Sequence, residues 1–130
     1  MPHKIMLIED DLPILDMMEI LLKRIGYEPV LVPDVLDALR RVKEDPPSLI
    51  LLDIMMTPMN GWEFLEKLRG EYGLKEIPVL LFTASPSVEE KITELNDPRL
   101  GMLQKPVSIT ELKAGIEKFL VNRTYAVDIV

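Results

Sequence analysis

The stretch S-L-I-L-L-D-I-M-M-T-P-M-N-G, residues 48–61, sets an aspartate at the end of an unbroken apolar run and a Pro- and Gly-bearing turn behind it. A short apolar run of this kind, without polar alternation, reads as a strand covered on both faces, the signature of a parallel sheet. An ionised carboxylate at the end of such a strand is costly to bury unless something pairs with it. Asp53 is therefore either a turn residue or part of a polar site.

The same motif of a short apolar run followed by an amphipathic stretch recurs in both directions. The runs are residues 5–8, 29–32, 49–52, 79–82 and 101–104. Helical periodicity fills residues 12–25, 34–45, 61–70, 87–96 and 109–122, with Leu65 and Leu68, Val88, Ile92 and Leu95, and Leu112, Ile116, Phe119 and Leu120 on apolar faces. Five βα repeats predict an α/β fold, a doubly wound three-layer sandwich around a parallel five-stranded sheet. Helix boundaries have local signals. Asn60 stands three before Glu63, Ser87 three before Glu90 and Ser108 three before Glu111, each the spacing of a capping box or its variant. Gly26 fits a C-cap, and Pro46-Pro47 closes the second helix. Residues 1–121 form one domain; residues 122–130 are a tail or the start of a linker, either frayed or added to the sheet as an edge strand.

Composition narrows the chemistry. The 130 residues suit a single core, and the absence of Cys excludes disulfides and thiolate metal sites, while His3 is the only imidazole. A metal here needs oxygen ligands. The 15 basic and 22 acidic residues leave a net charge of -7, which disfavours direct contact with a nucleic-acid backbone. No apolar run has the length of a membrane span and no signal peptide is legible, so a cytoplasmic protein is expected.

Ligands of an open parallel sheet bind beyond the carboxyl ends of its strands. Glu9, Asp10 and Asp11 end the first strand, Asp53 the third and Thr83 the fourth, and Lys105 follows the fifth. Neighbouring strands are about 5 Å apart, so adjacent ends would crowd carboxylates that repel one another unless a cation sits among them. Mg²⁺ suits an all-oxygen site of this kind. Taken singly, each residue has an ordinary reading: an acid as a helix cap, above all Asp11 before Leu12-Pro13, a lysine before proline as surface, a threonine as a strand former. Asp53 in a joint site is a candidate nucleophile for an aspartyl phosphate.

The motifs I-M-L-I-E-D-D at 5–11, L-L-D-I-M-M at 51–56, L-L-F-T-A at 80–84 and L-Q-K-P at 103–106 together resemble the receiver domain of two-component response regulators, over roughly residues 3–121. That resemblance implies a flavodoxin-like fold with strand order 2-1-3-4-5. It implies that Glu9, Asp10, Asp53 and the backbone carbonyl of Met55 hold Mg²⁺, that Asp53 is the phosphorylated residue, that Thr83 meets the phosphoryl group and that Lys105 pairs with it. It also implies a switch through Thr83 and the residue three before the lysine. The implied partners are a histidine kinase or histidine phosphotransfer protein and a downstream protein target or attached output domain, with a homodimer through the fourth helix, fifth strand and fifth helix as a further option. Such a domain catalyses its own phosphorylation and dephosphorylation, with no separate substrate. A pseudo-receiver that only binds protein, and a Mg²⁺-dependent phosphohydrolase, are the alternatives; intact Asp53, Thr83 and Lys105 argue against the first and the lack of an inserted cap against the second. Four positions depart from the family pattern: Glu9 where Asp is also common, Pro58 one place late, Met102 where an aromatic is usual, and L-N-D-P-R-L-G at 95–101, where Pro98 is expected to shorten or remodel the end of the fourth helix.

Overall fold

Alternation along the strands sorts their side chains onto two faces of one parallel sheet. The computed structural model describes residues 2–85 and 87–129, with side chains through residue 120. The elements run β1 (Lys4–Ile8), α1 (Leu12–Ile25), β2 (Glu28–Val32), α2 (Val35–Glu44), β3 (Leu49–Asp53), α3 (Gly61–Glu66), β4 (Val79–Thr83), α4 (Val88–Leu95), β5 (Leu100–Gln104) and α5 (Ile109–Ile129). The strand order is β2-β1-β3-β4-β5, all parallel, as expected for a doubly wound flavodoxin-like sheet. Each strand lies within a residue of its expected bounds.

Ile5, Leu7, Leu49, Leu51, Leu80 and Phe82 pack on one face with Leu15, Met18 and Leu22 of α1 and Leu112 and Ile116 of α5. Met6, Ile8, Ile50, Leu52, Val79 and Leu81 pack on the other against α2, α3 and Val88 of α4. All five residues of β3 are buried, so the central strand is covered from both sides. Each fully buried aliphatic side chain there contributes about 1.5–3 kcal/mol relative to exposure. That burial fixes the depth at which Asp53 leaves the sheet.

The helix ends agree with the sequence at most positions. Gly26 adopts a left-handed φ of 110° and its N–H meets the Leu22 and Lys23 carbonyls. Asn60 and Glu63 form a reciprocal capping box, as do Ser108 and Glu111. Ser87 does not cap α4: its backbone is already helical, so its side chain is misplaced for the first free N–H groups, and its hydroxyl lies 2.8 Å from that of Ser85. The third helix also departs from the 61–70 expectation, because regular α-helix stops at Glu66 and a π-helical turn, Lys67–Glu71, follows. α4 ends at Leu95 with Asn96 in the left-handed region at φ 49°, two residues before Pro98. α5 continues as helix through most of the expected tail rather than as an edge strand; the tail's side chains lie outside the described residues.

Candidate functional site

Register brings the candidate residues to one edge of the sheet. Ile8 pairs with Leu52, Asp53 with Phe82 and Thr83 with Gln104, so β1, β3, β4 and β5 finish nearly level. Glu9 and Asp10 continue from β1, Asp53 ends β3, Thr83 ends β4 and Lys105 follows β5. The Lys105 N–H donates to the Thr83 carbonyl at 2.8 Å, tying the last two loops together.

Glu9, Asp10 and Asp53 each present a carboxylate oxygen within 4.8 Å of the others, with Glu9 and Asp53 buried and Asp10 exposed. Asp53 Oδ1 accepts from the Met55 N–H at 3.2 Å and from Lys105 Nζ at 3.5 Å. The Lys105 ammonium also lies 4.8 Å from the centre of the Phe82 ring, whose π face helps hold it over the pocket. One ammonium cannot neutralise three carboxylates. Glu9 Oε2 is buried without a hydrogen-bond partner, and burial first, then the adjacent Asp53 carboxylate, push the Glu9 carboxyl up to about 8, with Lys105 opposing the shift.

The triad fits a divalent cation. Hard oxygen donors, an orphaned buried carboxylate oxygen and an exposed carboxylate at Asp10 suit a hard divalent cation. Glu9, Asp10 and Asp53 are the side chains able to hold it. The Met55 side chain points into solvent, 80% exposed, while its N–H donates to Asp53. Asp11 is not part of the cluster and behaves as a cap, accepting from the Ile14 N–H at 3.2 Å.

Thr83 and Met102 occupy the opposite face of the sheet from Asp53. By alternation Thr83 shares a face with Leu81, and Met102 pairs with Leu81 across β4 and β5. Thr83 is buried and its hydroxyl oxygen accepts the Ser85 N–H at 3.1 Å. Met102 is half-buried and packs against the apolar cluster beneath α4 that includes Val88, Leu100 and Ile92.

Two residues that shape the fold, one behind the site and one away from it, carried no strong sequence signal. A Cβ on Gly61 would sit 2.8 Å from Ile54 Cα and 3.0 Å from the Asp53 carbonyl oxygen, so only glycine lets the start of α3 approach the end of β3 this closely. The Gly61 N–H donates to the Ile54 carbonyl at 2.9 Å, closing the loop behind Asp53. Arg69 anchors the far side. Its guanidinium donates to Asp97 at 2.8 Å and to the carbonyls of Leu74, Ile77 and Arg99 at 2.8, 2.7 and 3.1 Å. This fork fastens the loops flanking β4 and β5 to the end of α3. The glycine in M-N-G was the available clue for the first; nothing local marks the second.

Comparison with known proteins places these features in a family. Residues 5–117 match the family described as response regulator receiver domain. The chain is 33% identical over 117 residues to the phosphate regulon transcriptional regulatory protein PhoB of Escherichia coli, covering 90% of this chain and 51% of that one. It thus spans about half the length of the curated relatives it matches. Among solved structures it resembles the N-terminal domain of a response regulator receiver protein from Methanoculleus marisnigri, at 35% identity and a TM-score of 0.74, covering 91% of this chain and 96% of that one. It also resembles the chemotaxis protein CheY4 of Vibrio cholerae, at 25% identity and a TM-score of 0.80, covering 92% and 99%.

Proposed function

From the premise that the chain belongs to the response regulator receiver domain family, we propose that it accepts a phosphoryl group on Asp53 from a histidine kinase or histidine phosphotransfer protein and changes its binding to a downstream partner. The observation that carries the reading is the convergence of three carboxylates within 4.8 Å, one of them also 3.5 Å from the Lys105 ammonium. A surface cap would not need to be buried among like charges.

In the proposed reaction an Asp53 carboxylate oxygen attacks phosphorus in line, the P–N bond of the phosphohistidine breaks, and the imidazole nitrogen leaves with its electron pair. Glu9, Asp10, Asp53 and the Met55 carbonyl would hold Mg²⁺, which when bound supplies positive charge to the phosphoryl oxygens. Lys105 supplies a second cation from the β5 side and is released from Asp53 to meet the transferred group. Thr83 donates a hydrogen bond from its hydroxyl to a phosphoryl oxygen. Ala84, beside it, leaves the pocket open. The resulting pull on Thr83 is relayed through Met102 to α4, so the face made by α4, β5 and α5 serves as the output surface and as the option for a homodimer. Met102, being unbranched, refills the space through several rotamers, and the predicted switch is a softer population shift than an aromatic ring would give.

The signalling unit is taken as residues 1–121, with 122–130 as a tail or the start of a linker to an output domain. Among the described residues no helix is long and apolar enough to cross a membrane. Phosphorylation by acetyl phosphate, followed as a gain of one phosphoryl mass on the intact protein, tests the reading. It predicts labelling that requires Mg²⁺ and vanishes in Asp53→Asn; a protein that stays unlabelled with a competent donor and Mg²⁺ is the pseudo-receiver instead.

A further inference from the structure

A cleft of about 820 Å³ opens between α3 and α4, on the side of the molecule held by Arg69, and none of Glu9, Asp10, Asp53, Thr83 or Lys105 lines it. Its size lies in the range of small-molecule sites. Trp62, Leu65, Leu95 and Pro98 supply an apolar wall. Leu95 is left 47% exposed, and an unfilled apolar surface of this kind beside an indole is a surface that gains by being covered.

The charges around that wall are unlike those of the rest of the chain. The protein carries a net charge of -7, yet the cleft is lined by four cations and three anions. Two of the anions are already answered: Asp97 accepts from Arg69 at 2.8 Å and from the Arg99 N–H at 2.9 Å, and Glu76 lies 3.7 Å from the Arg99 guanidinium. Glu66 is the third. Lys75 and Lys91 make no ion pair with any described residue; Lys91 rests over the Trp62 ring at 4.8 Å instead. The ammonium groups thus stand at an apolar wall with hydrogen-bond capacity to spare.

We infer that this cleft is a binding site for a small amphipathic carboxylate, an aromatic or alicyclic acid whose ring covers Leu95 and Pro98 beside Trp62 and whose carboxylate meets Lys75 and Lys91. The apolar wall accounts for the ring and the two unpaired lysines for the acid. A neutral compound of the same shape uses only the first. None of the carboxylate cluster lines the site, so it is open to ligand in the unphosphorylated protein.

Trp62 is the chain's single tryptophan, so its fluorescence reports the cleft without labelling. Titration of the whole chain with 4-phenylbutyrate should give a saturable change with a Kd on the order of 1 mM, as expected for a ligand of about a dozen heavy atoms. The isosteric 4-phenylbutyramide should bind about tenfold more weakly, because it forgoes a charge-assisted contact. Lys75→Gln, an exposed change, should erase most of that preference. Leu95→Glu should remove binding of both compounds, and Asp53→Asn should bind the acid as the parent protein does. Equal affinity for acid and amide, no saturable response, undiminished binding by Leu95→Glu, or loss of binding in Asp53→Asn would each overturn the assignment.

Discussion

Replacing Glu9 by Gln in metal-free protein tests the electrostatic reading of the pocket. In the folded chain burial and the Asp53 carboxylate push the Glu9 carboxyl from 4.5 up to about 8. Between those values the folded state holds a proton that the unfolded state has lost, so stability falls as pH rises through the window. Each pH unit within it costs about 1.4 kcal/mol, and the interval from pH 5 to pH 7 lies almost wholly inside. Glu9 is 1% exposed, so solvent screening removes little of this. Wild-type protein in chelator should therefore lose about 2–3 kcal/mol more than Glu9→Gln between pH 5 and pH 7. Urea unfolding of both proteins at the two pH values reads the difference, and titrations of groups remote from Glu9 cancel. Added Mg²⁺ should reverse the sign for the wild type alone, because a cation that replaces the proton binds better as pH rises. Parallel stability–pH curves for the two proteins in chelator would refute the crowded-carboxylate reasoning.

Lys105→Ala should keep its fold, since its contact with Asp53 is long, 3.5 Å, but should lose the conformational response to phosphorylation; amide shifts with and without beryllofluoride in Mg²⁺ measure this, and an unchanged pattern along α4 would contradict the role. Gly61→Ala should destabilise by about 1–3 kcal/mol, because its Cβ meets backbone rather than a movable side chain; thermal or urea unfolding checks it, and a neutral result would show that the loop behind Asp53 relaxes freely. Arg69→Met should cost about 3 kcal/mol and loosen the loops at Ile77 and Arg99, because it leaves a half-buried Asp97 carboxylate without its partner; hydrogen exchange confined to those loops is the expected signature, and unchanged stability and exchange would contradict it.

Much of this architecture is written locally. The apolar runs of β3 and β4 are continuous because both faces are covered, and Gly26, Asn60 and Ser108 act within one helical turn, so nearby residues suffice to read them. Glu9, Asp10, Asp53 and Lys105 were legible for another reason: a parallel sheet gathers the ends of its strands, so order along the chain implies nearness in space. What escaped depends on the path of the chain between elements. Arg69 reads as a solvated helix charge, since its partners are Asp97 and three backbone carbonyls, which leave no mark in sequence. Ser87 carried the right spacing for a cap but not the extended backbone that capping requires, because helical geometry begins one residue earlier. The importance of Gly61 lies in a close approach that exists only once the loop has closed.

Borohydride reduction after phosphorylation identifies the phosphoryl acceptor at the level of one side chain. An acyl phosphate on aspartate is reduced to homoserine, while free carboxylates are untouched. Peptide mass spectrometry of protein phosphorylated in Mg²⁺ should find homoserine at position 53 and nowhere else, and none in protein held without phosphodonor. Reduction at position 10 or 11, or phosphorylated protein that yields no homoserine at position 53, would contradict the account.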